Sequence, residues 1–115
     1  MCNRPMGIEK GRIRNSQITA SSDWDKFHAG FLARLNRRKS GRYIGAWSAA
    51  ANNYAQWLKV TFDTAVKVVR VGTQGRQDLD QWVTSYYLSY SVDCVRFLDY
   101  SYRGRPKVRN LYQMC

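Results

Sequence analysis

One stretch decides the fold of this 115-residue chain: Thr73-Gln74-Gly75-Arg76-Gln77-Asp78-Leu79-Asp80-Gln81-Trp82-Val83-Thr84-Ser85-Tyr86. It begins as a polar turn with one glycine and continues into a segment in which side chains alternate between two faces. Five short blocks precede it, at residues 11–13, 16–22, 33–36, 45–49 and 56–60. The order and spacing of these six blocks are more informative than any one of them.

Several segments alternate apolar and polar residues, which is typical of half-buried strands. In residues 57–62, Leu58, Val60 and Phe62 share one face, while Lys59 and Thr61 share the other. Further strands are predicted at residues 17–20, 66–71, 84–90 and 97–100. Short strands separated by irregular polar loops favour an antiparallel β-sandwich.

The six blocks together resemble the discoidin family, also called the coagulation factor five/eight type C domain. The resemblance extends from Cys2 to about Tyr100 and implies a single domain over residues 1–115. It implies an all-β, antiparallel jelly-roll sandwich of the galactose-binding-like type, which binds ligands with loops at one end. Trp47, Trp57 and Arg34 lie in the matching blocks, so structural roles are expected for them. Arg34 is expected to pair with a buried carbonyl or carboxylate.

The segment 101–115 departs from the family as an atypical basic tail. Family members continue with several further strands here, whereas this chain has only Leu111-Tyr112-Gln113-Met114-Cys115 after the basic residues. That ending is similar to the family's closing strand. Truncation and loss of an internal segment both remain open, and either predicts an incomplete sandwich with exposed strand edges.

Composition restricts the partners and the compartment. The net charge of +11 predicts attraction to polyanions such as acidic lipid surfaces, sulfated glycans or nucleic acid. No apolar run is long enough to span a bilayer, and the N-terminus lacks the apolar core of a signal peptide. The family resemblance nevertheless implies an extracellular or cell-surface location, with any signal lying in a longer parent chain.

The three cysteines, Cys2, Cys94 and Cys115, form no CxxC pair and no cluster with the single histidine, so neither a metal nor a cofactor is expected. The resemblance implies a disulfide between Cys2 and Cys115 that clamps the ends of the domain. Cys94 would then stay unpaired, at a position where relatives usually have a turn glycine.

By the resemblance, the ligand-binding loops map to residues 23–32, 37–44 and 74–81, here called the first, second and third loops. The first loop offers Trp24 and Phe27 as membrane contacts, because aromatic rings favour the interfacial zone of a bilayer. Related domains that bind phosphatidylserine use apolar loop tips of this kind. For Trp24, inward packing remains an equal alternative, and inward packing is favoured for Phe31 and Leu32.

The second loop carries the basic side chains Arg37, Arg38, Lys39 and Arg42, which would attract an anionic surface or a sulfated glycan. It is expected to lie next to the first loop, and the alternative is a solvated loop without a ligand. In the third loop, Arg76 and Asp78 are candidate ligand contacts, and Trp82 is expected to pack in the core. Asp78 and Asp80 alone are too few oxygen ligands for a calcium site.

Catalysis is not predicted, because the one histidine has no nucleophile or acid that the sequence places beside it. The sequence therefore predicts an extracellular adhesion or recognition module that binds anionic phospholipid surfaces through its loop end. A glycan- or collagen-binding adhesion module is the alternative, and a structural fragment of a multidomain matrix or receptor protein is a third possibility. Specific nucleic-acid binding is not expected, since no nucleic-acid motif accompanies the charge.

Overall fold

The computed structural model describes residues 4–102, 105–106 and 112–114, and the side chains of residues 4–100. The described elements are seven short strands and three one-turn 3-10 helices, in agreement with the predicted all-β class. The helices are Asn15–Gln17, Lys26–His28 and Gly30–Leu32. The strands are β1 (Ile18–Ala20), β2 (Leu58–Val60), β3 (Leu88–Tyr90), β4 (Leu98–Asp99), β5 (Ser101–Tyr102), β6 (Arg105–Pro106) and β7 (Tyr112–Met114).

Five strands form one sheet in the order β1-β2-β7-β3-β4, and β5 and β6 form a separate antiparallel pair. The β1–β2 and β3–β4 pairs are antiparallel, but β7 runs parallel to both of its neighbours. The expectation of a purely antiparallel arrangement is therefore wrong for the centre of this sheet. Parallel neighbours need a long crossover rather than a hairpin, and residues 91–111 provide that length between β3 and β7.

The strand register defines two ends of the sheet. Ala20 lies opposite Leu58, and Leu58 and Leu88 both pair with Tyr112, so these four residues mark one end. Ile18, Val60, Met114 and Tyr90 mark the other end in the same way. The first loop begins three residues after Ala20 and lies at the first end. The turn over residues 91–97 follows Tyr90 and lies at the opposite end.

The core forms around β1 and β2. Its buried cluster contains Ile13, Ile18, Leu58 and Val60, with Phe62 partly buried against it. The predicted apolar face of residues 57–62 is therefore confirmed. Burying side chains of this size stabilises a fold by about 1.5–3 kcal/mol each, so this cluster is the main source of stability around β1 and β2.

Buried polar side chains connect the segments around this core. Gln17 accepts a hydrogen bond from the Arg14 backbone N–H at 2.8 Å and donates one to the Thr61 carbonyl at 2.8 Å. The Arg34 guanidinium donates to the Ile8 carbonyl and to the Asn15 side-chain oxygen. The structural role predicted for Arg34, pairing with a backbone carbonyl, is confirmed.

The Trp47 indole N–H donates to the Ser22 carbonyl at 2.9 Å, while its ring packs against the core. Phe31 is partly buried against the same cluster, and Leu32 is fully buried. The inward packing expected for Phe31 and Leu32 is therefore confirmed.

Two predicted strands differ from the structure. Residues 66–71 form no strand, and the strand predicted at 84–90 is limited to Leu88–Tyr90. Within β3, Leu88 is half-buried, Ser89 is buried and Tyr90 is exposed. The reason is a groove of about 850 Å³ between residues 62–71 and β3, which leaves the apolar side of β3 uncovered by the described chain.

None of the helices in the described part of the chain is both long and apolar enough to cross a membrane.

Candidate functional site

The first loop is held in shape by two aspartates. Asp25 caps the one-turn helix Lys26–His28 by accepting a hydrogen bond from the Phe27 backbone N–H at 2.8 Å. The same carboxylate oxygen lies 2.6 Å from His28 Nδ1, and this hydrogen bond is the main reason that the pKa of Asp25 is lowered. Asp23 accepts from the Gly30 backbone N–H at 2.9 Å, which closes the loop.

Trp24 lies between these two aspartates and is 66% exposed. Its backbone N–H donates to the Ser48 carbonyl at 2.7 Å, so the backbone is anchored while the indole ring projects outward. Of the two readings that the sequence left open for Trp24, the outward one is the observed one.

Phe27 has a different environment from Trp24. Its ring makes an edge-to-face contact with Tyr43 of the second loop, with 5.3 Å between ring centroids and 75° between ring planes. The Ile44 backbone N–H donates to the Phe27 carbonyl at 3.0 Å. The predicted adjacency of the first and second loops is confirmed, and Phe27 is a half-buried residue that joins them.

The second loop presents its positive charge to solvent. Arg37, Arg38, Lys39 and Arg42 are all exposed, and none forms a salt bridge with another residue in the described ranges. An isolated bridge between Ser40 and Tyr43 closes the loop. The cluster therefore keeps its charge available for an anionic partner.

Gly45 allows the chain to pass close to the backbone of the second loop. Its φ is +79°, and a Cβ placed there would lie 2.8 Å from the carbonyl carbon and oxygen of Arg38. A side chain would clash with the backbone of the basic cluster, so the shape of the second loop depends on glycine at this position.

The polar residues of the third loop bind one another. Arg76 Nε donates to the Asp78 carboxylate at 2.6 Å, and its Nη1 donates to the Gln81 side-chain oxygen at 3.1 Å. The Arg76 side chain is the main cause of the lowered pKa of Asp78, with a smaller contribution from the charge of Lys39 in the second loop. Arg76 and Asp78, predicted as ligand contacts, thus brace their own loop.

The apolar residues of the third loop and of the two positions that follow it, Trp82 and Val83, face outward. Leu79 is 51% exposed, Trp82 is 66% exposed and Val83 is 55% exposed. The expectation that Trp82 packs in the core is wrong: the internal bracing by Arg76 turns this segment away from the core. Leu79, Trp82 and Val83 could have been identified from the sequence, because they lie among polar residues and outside the predicted strands.

The second and third loops are joined at their bases. The Asn36 backbone N–H donates to Gln74 Oε1 at 2.7 Å, and Gln74 Nε2 donates to Asn36 Oδ1 at 3.3 Å. Together with the contact between Phe27 and Tyr43, this links the three loops in series. We refer to this assembly of residues 23–32, 37–44 and 74–83 as the loop end.

The cysteines and candidate metal ligands do not contribute to the loop end. Cys94 is an exposed, free cysteine with a φ of +59°, in the turn at the opposite end of the sheet. Cys2 and Cys115, the predicted disulfide partners, lie outside the described residues. Within the ranges that the structure covers, no three His, Cys, Asp or Glu side chains are grouped so that they could hold a metal ion.

These features describe a β-rich domain in which three loops contact one another in series. The sequence of residues 17–112 matches the family model of the F5/8 type C domain. The chain therefore belongs to the F5/8 type C, or discoidin, family, whose fold is a β-sandwich.

Individual relatives agree with this assignment. Lactadherin of Rattus norvegicus is 37% identical over 112 residues, which cover 93% of this chain and 26% of that protein. Coagulation factor V of Bos taurus is 43% identical over 96 residues, which cover 78% of this chain and 4% of that protein. Retinoschisin of Takifugu rubripes is 38% identical over 97 residues, covering 79% of this chain and 33% of that protein. The chain thus spans at most a third of each of these relatives, and no solved structure gives a significant match.

Proposed function

We propose that this chain is an extracellular or cell-surface recognition module that docks onto anionic phospholipid membranes with its loop end, and that it has no catalytic activity. The observation that carries the proposal is the exposure of Trp24 and Trp82 on the loops that flank an unpaired basic cluster. The proposal takes the domain to be a jelly-roll sandwich in which the described five-stranded sheet is one layer.

The exposed tryptophans supply the apolar part of the proposed contact. An indole ring has an apolar body and a polar N–H, and it is favoured at the level of the lipid headgroups. Leu79 and Val83 add apolar surface beside Trp82 in the third loop. Leu79 and Val83 have no polar side-chain group that would lose its hydrogen bonds on leaving water, so shallow insertion is favourable for them.

The second loop supplies the electrostatic part. Each basic residue near an anionic surface contributes about 1 kcal/mol, so four of them give roughly 4 kcal/mol, which corresponds to an affinity only in the millimolar range. Charge therefore accounts for attraction to the surface and for preference among lipids, but stable docking also needs the apolar tips.

The proposal gives different tasks to the predicted site residues. Trp24 and the basic residues Arg37, Arg38, Lys39 and Arg42 are the proposed membrane contacts, together with Leu79, Trp82 and Val83. Phe27, Arg76 and Asp78 are positioning residues, because their interactions lie within and between the loops.

Vesicle co-sedimentation tests the proposal, with phosphatidylcholine vesicles that contain or lack phosphatidylserine. Wild-type protein should bind the anionic vesicles, and Trp24→Ala and Trp82→Ala should each weaken binding about tenfold, the scale expected for loss of a partly buried aromatic contact. Tyr90→Ala is the matched control, because Tyr90 is an exposed aromatic residue at the opposite end of the sheet. Equal binding to neutral vesicles, or an equal loss in all three variants, would contradict the proposal.

The alternative of a glycan- or collagen-binding adhesion module would use the same end of the domain. A sugar site in the third loop would need free polar atoms, whereas those of Arg76 and Asp78 are already paired with each other. Binding to a glycan array or to immobilised collagen with no preference for anionic vesicles would favour this alternative. Failure in all of these assays would favour a structural fragment of a larger matrix or receptor protein.

A further inference from the structure

A second basic feature lies at the base of the second loop, and it shares Arg37 with the exposed basic cluster. It is an open cavity of about 600 Å³ between the N-terminal segment and the chain that follows the first loop. Its polar lining consists of Lys10, Arg14, Arg34 and Arg37, with Glu9 and Asn15 beside them. Four cationic side chains and one carboxylate make the cavity strongly electropositive.

Arg34 forms part of the wall of this cavity, and only 9% of it is exposed. Its guanidinium donates to the Ile8 carbonyl and to the Asn15 side-chain oxygen, which satisfies two of its five N–H groups. Both acceptors are neutral. The group is thus hydrogen-bonded, but its buried charge is not balanced by either acceptor, and a buried charge without a counter-charge is costly.

No carboxylate side chain of the protein compensates Arg34. Among the described residues, no Asp or Glu forms a salt bridge with it, and the segments outside the described residues contain no Asp or Glu. Glu9 accepts a hydrogen bond from the Asn36 side chain at 2.9 Å. Asp63 pairs with Arg14 at 2.9 Å.

Arg37 adds a second positive charge beside Arg34 instead of neutralising the first. Burial is the first cause that lowers the pKa of Arg34, and the positive charge of Arg37 is the second. Two like charges therefore converge on one cavity wall, and neither has a salt-bridge partner in the described part of the chain. An anion between them would turn this repulsion into attraction and would neutralise the buried charge.

We propose that this cavity binds a tetrahedral oxyanion, a phosphate or sulfate group, which is held by Arg34, Arg37 and Lys10. Guanidinium groups suit this chemistry because their planar donors match the oxygen spacing of such anions, and the lysine adds a flexible point charge. This inference goes beyond membrane docking, because the cavity would take the anion in free solution and uses none of the apolar tips. Arg14 contributes to the potential while its own guanidinium stays paired with Asp63.

Ligand-dependent thermal stability tests the proposal, since an anion that binds the folded state raises Tm. Inorganic phosphate and sulfate should each raise Tm of the wild-type chain more than chloride at equal ionic strength. Arg37→Gln and Lys10→Gln should each weaken the apparent phosphate affinity about tenfold, the scale for loss of one charged contact. Both side chains are exposed, so these variants should fold, unlike substitutions of the buried Arg34.

Two controls make the result decisive. Lys67→Gln removes the same charge from an exposed residue that does not line the cavity, and it should leave the phosphate affinity unchanged. Trp24→Ala should also retain phosphate binding, even if it loses vesicle binding, so the two proposals can fail separately. A Tm rise no larger than that in chloride, or equal weakening in Lys67→Gln and Arg37→Gln, would overturn the oxyanion site.

A third probe, soluble glycerophosphoserine, distinguishes a lipid headgroup from a free anion as the ligand. Tighter binding of glycerophosphoserine than of inorganic phosphate, with both weakened by Arg37→Gln, identifies the site as one for a lipid headgroup. Equal or weaker binding of glycerophosphoserine, again dependent on Arg37, identifies it as a site for a free phosphate or sulfate group.

Discussion

Asn36 and Gln74 exchange two hydrogen bonds across 38 positions of sequence, one from the Asn36 backbone N–H at 2.7 Å and one from the Gln74 side-chain amide at 3.3 Å. Asn36 adopts a positive φ of 59°, a conformation that asparagine tolerates better than most residues. This pair fixes the base of the third loop beside the base of the second.

Gln74→Ala should uncouple the second and third loops. Loss of these partly exposed hydrogen bonds should lower the free energy of unfolding by about 1 kcal/mol, and binding to anionic vesicles should weaken because the two loops no longer keep a fixed relation. Gln77→Ala is the matched control, since Gln77 lies in the same loop and is exposed. Urea denaturation and co-sedimentation measure both quantities. If the two variants behave alike, the pairing with Asn36 does not organise the site.

Arg38 and Arg42 should determine the salt dependence of membrane binding. The double variant Arg38→Gln, Arg42→Gln removes two charges, worth roughly 2 kcal/mol at an anionic surface, and should weaken vesicle binding about thirtyfold at low salt. The difference from wild type should shrink as salt screens the charges. Arg96→Gln, in the turn at the opposite end of the sheet, should have little effect. If Arg96→Gln weakened vesicle binding as much as the double variant does for each charge removed, only the net charge of the protein would matter.

Gly45→Ala should destabilise the second loop more than Gly41→Ala. Both glycines have positive φ, but a Cβ at Gly45 would lie 2.8 Å from the Arg38 carbonyl, whereas a Cβ at Gly41 meets nothing within 4 Å. The backbone strain of about 1–2 kcal/mol is common to both substitutions, so the difference between them reports the steric clash. Chemical denaturation of the two variants measures it. Equal losses would show that the loop moves freely to accommodate a side chain.

Cys94→Gly should stabilise the protein. Cys94 has a φ of +59°, where a residue with a Cβ is strained by about 1–2 kcal/mol and glycine is not. Part of this gain is offset by the larger conformational freedom of glycine in the unfolded chain, so a net gain of about 1 kcal/mol is expected. Cys94→Ser keeps the Cβ and serves as the control. Thermal denaturation under reducing conditions should give a higher Tm for the glycine variant alone, and a lower Tm would contradict the expectation.

Asp93 should make stability depend on pH in the acid range. Hydrogen bonds from the backbone N–H groups of Arg96 and Val95 and from the Ser91 hydroxyl lower the pKa of Asp93. Because the pKa is lower in the folded than in the unfolded state, where it is about 3.9, the stabilisation is present at neutral pH. It is lost as the pH falls through the folded pKa.

Asp93→Asn tests this linkage. The variant should be less stable than wild type at pH 7, and the difference should vanish below the folded pKa, because both side chains are then uncharged. Denaturation at pH 7 and at a series of lower pH values through the acid range measures it, with Asp80→Asn as the control for an exposed aspartate. A difference that persists unchanged at low pH would show that the charge of Asp93 is not the stabilising factor.

Local patterns predicted the β1–β2 part of the fold correctly. Alternation identified Leu58 and Val60 as buried, and Ile18–Ala20 and Leu98–Asp99 form strands where strands were expected. The same patterns were wrong for residues 66–71, because a β-branched run becomes a strand only when a neighbouring backbone pairs with it. They also predicted a longer strand at residues 84–90 than the observed Leu88–Tyr90, for the same reason.

The predictions for the candidate site were likewise correct in part. Charge and aromatic content identified the first and second loops, and Trp24, Arg37, Arg38, Lys39 and Arg42 are exposed as the membrane hypothesis requires. The third loop was misread, because Arg76 and Asp78 satisfy each other and Trp82 is turned outward. Polar residues suggest a ligand site in sequence, but only their contacts reveal whether a partner within the chain already uses them.

The sequence by itself determined the family of this protein, its β-rich class and the segments that form its loops, since these follow from the order of short motifs and from local periodicity. Only the tertiary structure decided the parallel central strand β7, the outward position of Trp82 and the convergence of Arg34 and Arg37 on one cavity. These features depend on contacts between residues far apart in the chain. The interactions that determine them are strand pairing, burial of side chains and the proximity of charges, and no local sequence pattern encodes these.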